Sequence, residues 1–224
     1  MERIILLTND GSSTVQLAGS GESYHSRHGA IQESRHVFID AGLDEFVKNN
    51  PGLKKIKVFE TGFGTGLNAL LTCQYAKAHN LDILYETVEL YPLTTEETAV
   101  LNYPTLLGDE ELFKGIHLAP WGIPVEVTGY FQLTKHHQSI TGYNTGNKYH
   151  IIYHDAFAPD AQPELWTEDM FHKLYEMVEP GGLLLTYCSK VVVRQALQAA
   201  GFMVEKTPGP WGKREMLRAV KRLE

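Results

Sequence analysis

The sequence predicts an α/β fold with a mainly parallel sheet, and three observations carry that expectation. Strand-like apolar runs alternate with helix-like stripes from residue 51 onward, the pattern of a sheet covered on both faces. A glycine turn, Gly62-Phe63-Gly64-Thr65-Gly66, joins the first of these strands to the first helix. A second cluster, Tyr153-His154-Asp155-Ala156-Phe157-Ala158-Pro159, follows a later strand, where ligands of open α/β sheets bind.

Residues 1–50 precede the alternation. They include the polar run Tyr24 to His36 and read as an N-terminal extension, a lid that folds onto the ligand site. Residues 51–224 hold the main domain. Strands are expected at 56–60, 83–89, 149–155, 183–188 and 202–206, with 216–220 as a last, antiparallel member. Leu67, Leu70, Leu71, Tyr75 and Ala78 form one helical apolar stripe. Met170, Phe171, Leu174, Met177 and Val178 form another, with Thr167 as N-cap and Glu168 and Asp169 in the favourable first turn. That helix is expected to stop at Pro180-Gly181-Gly182, and Ser189 to cap a third helix ending at Gly201. Residues from about 106 to 148 break the alternation. They read as an insertion containing Trp121, one strand over 125–133 and a flexible tip at 141–147.

Composition narrows the function. A chain of 224 residues, 43% hydrophobic and 21% charged, is that of a soluble globular domain. No run approaches the roughly 18 to 20 apolar residues of a membrane span, and the apolar N-terminal run is too short for a signal peptide, so the cytoplasm is the expected location. Cys73 and Cys188 sit in apolar surroundings and read as buried reduced thiols. A net charge of −7 argues against nonspecific coating of nucleic acid. It leaves room for a local basic patch, and Lys206, Lys213, Arg214, Arg218, Lys221 and Arg222 concentrate near the C-terminus. A solvated terminal face explains that run equally well.

The glycine turn has the spacing G-x-G-x-G, with Leu67 where a dinucleotide fingerprint places its third glycine. Glycines bring bare backbone close to a ligand, and the following helix turns free N–H groups toward the same spot. Glu60 at the strand end would repel a pyrophosphate but suits the sulfonium and amino group of S-adenosyl-L-methionine. Glu89 ends the next strand at close to the ~20-residue offset from which an acid reaches a nucleoside ribose. Asp155, Phe157 and Pro159 resemble the Asp/Asn-Pro-Pro-aromatic loop of amino-group methyltransferases. A metal site at His136, His137, His150 and His154 lacks a familiar ligand spacing, and no G-x-S-x-G elbow is present.

The chain resembles the methyltransferase domain of the MnmC family of tRNA-modifying enzymes. The match runs through residues 29–39, 60–68, Asp155 to Pro159 with Pro163 to Thr167, and Gly212-Lys213-Arg214-Glu215-Met216. The resemblance implies a class I S-adenosyl-L-methionine-dependent methyltransferase fold, Rossmann-like, with a seven-stranded sheet. It implies methylation of the 5-aminomethyl group of the tRNA wobble uridine. Glu60, Gly62, Gly64, Gly66, Asn68 and Glu89 are then expected to hold the cofactor, with Glu33 and Ser34 closing over it. Asp155 and Phe157 would border the acceptor, Asp155 either as the base or as a further cofactor ligand. Phe157 or Trp166 would stack on the flipped uridine, although Trp166 reads better as core. Lys213 and Arg214 would meet tRNA phosphate, and the partner would be a tRNA anticodon stem-loop. Tyr24, His25, Arg27 and His28 serve either the RNA or the ordering of the N-terminal segment. Bifunctional members add a flavin-dependent oxidase domain, for which 224 residues leave no room. The expectation is therefore a stand-alone form without flavin or metal, a monomer in transient contact with other tRNA-modifying enzymes. The competing readings are an N-methyltransferase of a small-molecule amine and a noncatalytic S-adenosyl-L-methionine- or RNA-binding partner.

Overall fold

A computed structural model of the chain describes residues 2–223. An N-terminal hairpin pairs β1 (Arg3–Leu7) antiparallel with β2 (Ser13–Leu17). A helix over 30–49, α1, follows, its middle Arg35–Asp44 wound as a π-helix. Then come β3 (Lys55–Thr61), α2 (Leu67–His79) and β4 (Asp82–Val88). Short helices α3 (Thr95–Ala99), α4 (Tyr103–Leu107) and α5 (Glu110–Leu118) lead to β5 (Val125–Thr128) and β6 (Phe131–His136). The C-terminal half runs β7 (Tyr149–His154), α6 (Glu168–Met177), β8 (Val178–Thr186), α7 (Val191–Ala199), β9 (Met203–Pro208) and β10 (Glu215–Val220).

Eight strands form one sheet in the order β5-β6-β4-β3-β7-β8-β10-β9. From β6 to β8 all pairings are parallel, and β5, β10 and β9 run antiparallel to their neighbours. The chain leaves β3 toward β4 on one side and later adds β7 on the other, so β3 and β7 flank the switch point where α/β sheets bind ligands. Alternation along β7 builds two cores. Ile151 and Tyr153 join the core under α1 and α2, while Ile152 joins the opposite core with Phe171 and Leu174 of α6. Thr167 caps α6 by accepting the N–H of Met170.

Several expectations are corrected. The sheet has eight strands rather than seven, because 125–133 is not one strand: Gly129 and Tyr130 turn the chain and split it into β5 and β6, with a register shift at Thr128. The segment 106–148 is not a separate insertion, since β6 lies between β4 and the edge strand and completes the sheet. Helix α1, placed in the extension, packs on the sheet; its Phe38 ring lies 4.9 Å from Tyr153. Pro180-Gly181-Gly182 lies inside β8 instead of ending α6. Strand pairing starts at Tyr149↔Val178, and a Cβ at Gly182 would meet the His150 carbonyl oxygen at 2.7 Å. Lys190, not Ser189, is the N-cap of α7, and it makes no side-chain cap. Cys73 and Cys188 are buried and free, and no described helix is long and apolar enough to cross a membrane.

Candidate active site

The carboxyl ends of β3, β4, β7 and β8 frame a cleft of about 900 Å³, its open mouth included. Gly62, Gly64, Asn68, Glu89, Asp155 and Phe157 line it. Between β3 and α2 the glycine turn is fixed by the N–H groups of Gly62 and Phe63, which donate to the Val88 carbonyl at 3.1 and 3.2 Å. Two glycines are required by contact as well as by conformation. At Gly62 (φ +87°) a Cβ would stand 3.0 Å from the Asp155 carbonyl oxygen, and at Gly66 (φ +72°) it would stand 2.8 Å from His117 Nε2. Glu89 accepts from the Gly64 N–H at 3.0 Å and the Tyr91 N–H at 2.8 Å, which pins its carboxylate at the cleft wall.

The centre of the site is a pair of carboxylates joined by an amide. Asn68 Nδ2 donates to Glu60 Oε1 at 2.9 Å and to Asp155 Oδ2 at 2.8 Å. Thr87 donates to Glu60 Oε2 at 3.0 Å. Glu60 is fully buried, and burial raises it well above the usual carboxylate range, with Asp155 adding to the shift. Asp155 keeps part of its surface open to the cleft, yet desolvation pushes it up to about 7 against the Asn68 hydrogen bond. The buried Asn68 Oδ1 has no partner among the described residues. Two carboxyl groups short of donors, an unpaired amide oxygen and a bare glycine backbone fit a cationic nucleoside cofactor such as S-adenosyl-L-methionine.

An aromatic wall faces this pair. Tyr24 meets Phe157 edge-on at 5.0 Å between centroids, and Tyr187 donates to the Ala156 carbonyl at 2.9 Å. Behind Tyr187, the Lys213 ammonium sits 4.0 Å from its ring centroid and donates to Glu33 Oε1 at 2.6 Å. Glu33 also accepts the Ser26 N–H at 2.7 Å.

Other expected site residues lie away from the lining. Glu60 and Gly66 form its back; Glu33, Ser34, Lys213 and Arg214 are not among the described lining residues. Ser34 is buried with its hydroxyl unpaired, and Lys213 is committed to Glu33 and Tyr187, leaving Arg214 exposed. The remaining basic cluster is largely neutralised: Lys206 pairs with Glu215, Arg218 with Glu205, and Lys221 is buried over Tyr175. Trp166 is core, its indole N–H donating to the Phe157 carbonyl at 2.8 Å, so it cannot stack on a base. Sequence reasoning missed Tyr187 and the segment Gln138 to Ile140, which close the cleft. Tyr187 was detectable as an aromatic at a strand's carboxyl edge; the Gln138 to Ile140 loop carries no such signal. No group of three His, Cys, Asp or Glu among the described residues could hold a metal.

Comparison with known proteins adds a separate line on family and fold. A family profile described as S-adenosyl-L-methionine-dependent methyltransferase matches residues 132–222. The chain is 30% identical over 226 residues to the tRNA 5-methylaminomethyl-2-thiouridine biosynthesis bifunctional protein MnmC of Cupriavidus metallidurans, covering 94% of this chain and 33% of that protein. It thus spans about a third of the length of the curated relatives it matches. The crystal structure of MnmC2 from Aquifex aeolicus superposes with a TM-score of 0.82 at 26% identity, over 100% of this chain and 71% of that one. Spermidine synthase from Thermotoga maritima shares the fold at a TM-score of 0.60 and 15% identity, over 99% of this chain and 70% of that one. Along nearly its whole length the chain is thus similar to about a third of MnmC, and its C-terminal part to S-adenosyl-L-methionine-dependent methyltransferases.

Proposed function

We propose that this protein methylates the 5-aminomethyl group of the wobble uridine in tRNA, giving 5-methylaminomethyluridine or its 2-thio form. The observation that carries the reading is Asp155. It is a carboxyl group tuned to about 7, at the sheet's switch point, beside an aromatic wall and joined by Asn68 to the glycine-turn strand. Similarity to the methyltransferase part of MnmC supplies the acceptor class.

When bound, S-adenosyl-L-methionine supplies a methyl group on a sulfonium, which leaves as a neutral thioether as the acceptor nitrogen takes the methyl. The chain's own residues position and deprotonate. An alkylammonium has no lone pair to attack with, so its proton must leave first. A carboxylate near 7 is half ionised at neutral pH and accepts that proton in a low-dielectric setting. Asn68 holds Asp155 in place, and its free Oδ1 offers a further acceptor to the cofactor's ammonium or to the substrate amine. Glu89 presents carboxylate oxygens where a ribose would lie. Phe157 and Tyr24 give an apolar wall for a flipped-out base, as single-stranded RNA recognition requires. Alignment of this kind is worth on the order of 7–11 kcal/mol of a bimolecular barrier. In this reading the protein acts in the cytoplasm as a monomer on the anticodon stem-loop, in transient contact with the enzyme that supplies the aminomethyl group.

The test is transfer of label from S-adenosyl-L-methionine into tRNA from cells lacking this protein, followed by nucleoside mass spectrometry. A one-methyl gain on 5-aminomethyluridine is expected. Unlabelled tRNA from a protein that still binds the cofactor would overturn the acceptor assignment.

A further inference from the structure

We propose that Trp211 is a stacking platform for an unpaired RNA base next to the one that enters the cleft, with Arg214 and Arg27 supplying positive charge beside it. The proposal rests on the RNA acceptor above and adds a surface outside the cleft.

Trp211 is 66% exposed, unlike the buried Trp166. Leaving an indole in water forgoes roughly 2 kcal/mol of burial, so a fixed outward tryptophan calls for an explanation. Fixed it is, because the loop between β9 and β10 is held from both sides. Within the loop, the Gly209 N–H donates to the Arg214 carbonyl at 3.1 Å and the Lys213 N–H to the Pro210 carbonyl at 2.8 Å. From α1, Gln32 Oε1 accepts the Trp211 N–H at 3.2 Å, and His36 Nε2 meets the Pro208 carbonyl at 2.8 Å. Gly212 presses on His28 so closely that a Cβ there would collide with the imidazole. The backbone is pre-organised while the ring faces out, which lowers the entropic cost of stacking a partner on it.

Its position is also set. Lys213, two residues on, lies over Tyr187, which lines the cleft. Two residues span at most about 7 Å of backbone, so the Trp211 backbone belongs to the segment packed behind the Tyr187 side of the cleft.

Two guanidinium groups on the Trp211 side are free. Arg27 and Arg214 are exposed and form no ion pair among the described residues. The acids of the segments that hold this loop are occupied: Glu33 by Lys213, Glu215 by Lys206, and Asp10 by the N–H groups of Ser12 and Gln32. An exposed aromatic ring on a loop that carries one unpaired guanidinium group and abuts the segment carrying another matches a single-stranded nucleic acid, whose bases stack and whose phosphates need cations. A docking face for another protein would show a continuous apolar patch instead.

The test uses the full chain and a synthetic anticodon stem-loop RNA. Intrinsic fluorescence of the wild type should be quenched on titration, since Trp211 is exposed and stacking alters its emission. Trp211→Phe should lose the quench and keep most of the affinity. Trp211→Ala should bind roughly 5- to 100-fold more weakly, the range expected for one lost base-stacking contact. In the methylation assay the loss should fall in KM for tRNA rather than in kcat, with unchanged affinity for S-adenosyl-L-methionine certifying the fold. Equal RNA affinity and KM for Trp211→Ala and wild type would overturn the platform while leaving the acceptor assignment intact. A change in sedimentation without a change in RNA affinity would overturn it in favour of a protein contact. Quenching by RNA that is never methylated would support the platform and sink the acceptor. No RNA binding by the wild type would sink both.

Discussion

Glu60 and Glu86 sit on neighbouring strands of the same sheet, and their surroundings differ in a way that separates structure from function. Burial pushes Glu86 up, but its donors outweigh it: Tyr143 and Tyr149 each reach it at 2.6 Å and His136 at 2.7 Å, leaving it below the usual carboxylate range. Glu60 is more deeply buried, bonded by Asn68 and Thr87 with the Tyr85 hydroxyl close by, and burial, with Asp155 as a like-charged neighbour, outweighs these donors; it rises well above that range. A carboxyl group furnished with donors by its own protein has a completed role in holding two segments together. One left short of donors behind a cleft, and joined through Asn68 to an acid that lines it, belongs to the site rather than to the scaffold. Buried acids on this sheet are therefore sorted by how much of their hydrogen bonding the fold supplies.

The largest effect that tests this contrast is on the unfinished side. Asp155→Ala should lower turnover by about 10²- to 10⁴-fold, the usual worth of a positioned acid-base group, while calorimetry shows cofactor affinity little changed. Equal loss of both would make Asp155 a cofactor ligand. Next comes stability. Glu86→Ala strands three donors in a buried setting and should cost about 3 kcal/mol in urea unfolding. Glu60→Gln should cost under about 1 kcal/mol, because a carboxyl group already held neutral loses little as an amide. If the two substitutions proved equally destabilising, the distinction between a finished and an unfinished carboxylate would collapse.

A smaller effect appears in pH. Burial lowers His25, His117 and His154 from 6.5 to about 4, so the native protein stays neutral at these positions where the unfolded chain takes up protons. Their contribution is lost as pH falls from 6.5 toward 4. Asp155 acts with the opposite sign. Its folded value is raised from 3.8 to about 7, so the native state binds the extra proton and stability falls as pH rises through that window. Glu60, raised in the same way, acts with Asp155, while burial lowers His150 along with the other three histidines; four groups outweigh two, and the urea midpoint should drop between pH 6.5 and 4.5. In Asp155→Asn the drop should be steeper. An unchanged profile would show that Asp155 is not desolvated.

The cleft was more legible in the sequence than its rim, for a physical reason. A glycine turn flanked by a strand and a helix, and an acid at a strand end, are local patterns, and Gly62, Gly64, Glu89 and Asp155 all line the cleft. The rim is made by contacts between distant segments. Lys213 reaches Glu33 across 180 positions of sequence, and nothing in either segment alone announces the pair. A net basic count likewise could not reveal that Lys206, Arg218 and Lys221 are spent internally. The split of 125–133 was missed because Gly129 within an apolar run reads as a tolerated interruption of a strand, while the structure uses it to turn the chain.

The smallest effect is the sharpest probe of that long-range pair. Lys213 lowers the affinity of Asp155 for its proton and Glu33 raises it, so the two halves of one ion pair pull the same carboxyl group in opposite directions. Lys213→Met should therefore move the acid limb of the turnover profile to higher pH, and Glu33→Gln should move it lower. The accompanying change in stability should stay within about 1 kcal/mol, since the lysine end of the pair is partly exposed. A purely structural clamp predicts something else. Both substitutions would then lower turnover alike by loosening the loop against α1, with the midpoint of the limb fixed. Opposite displacements of that midpoint would place Lys213 and Glu33 with the unfinished carboxylates. Parallel losses would place them with Glu86, as residues that hold two segments together and nothing more.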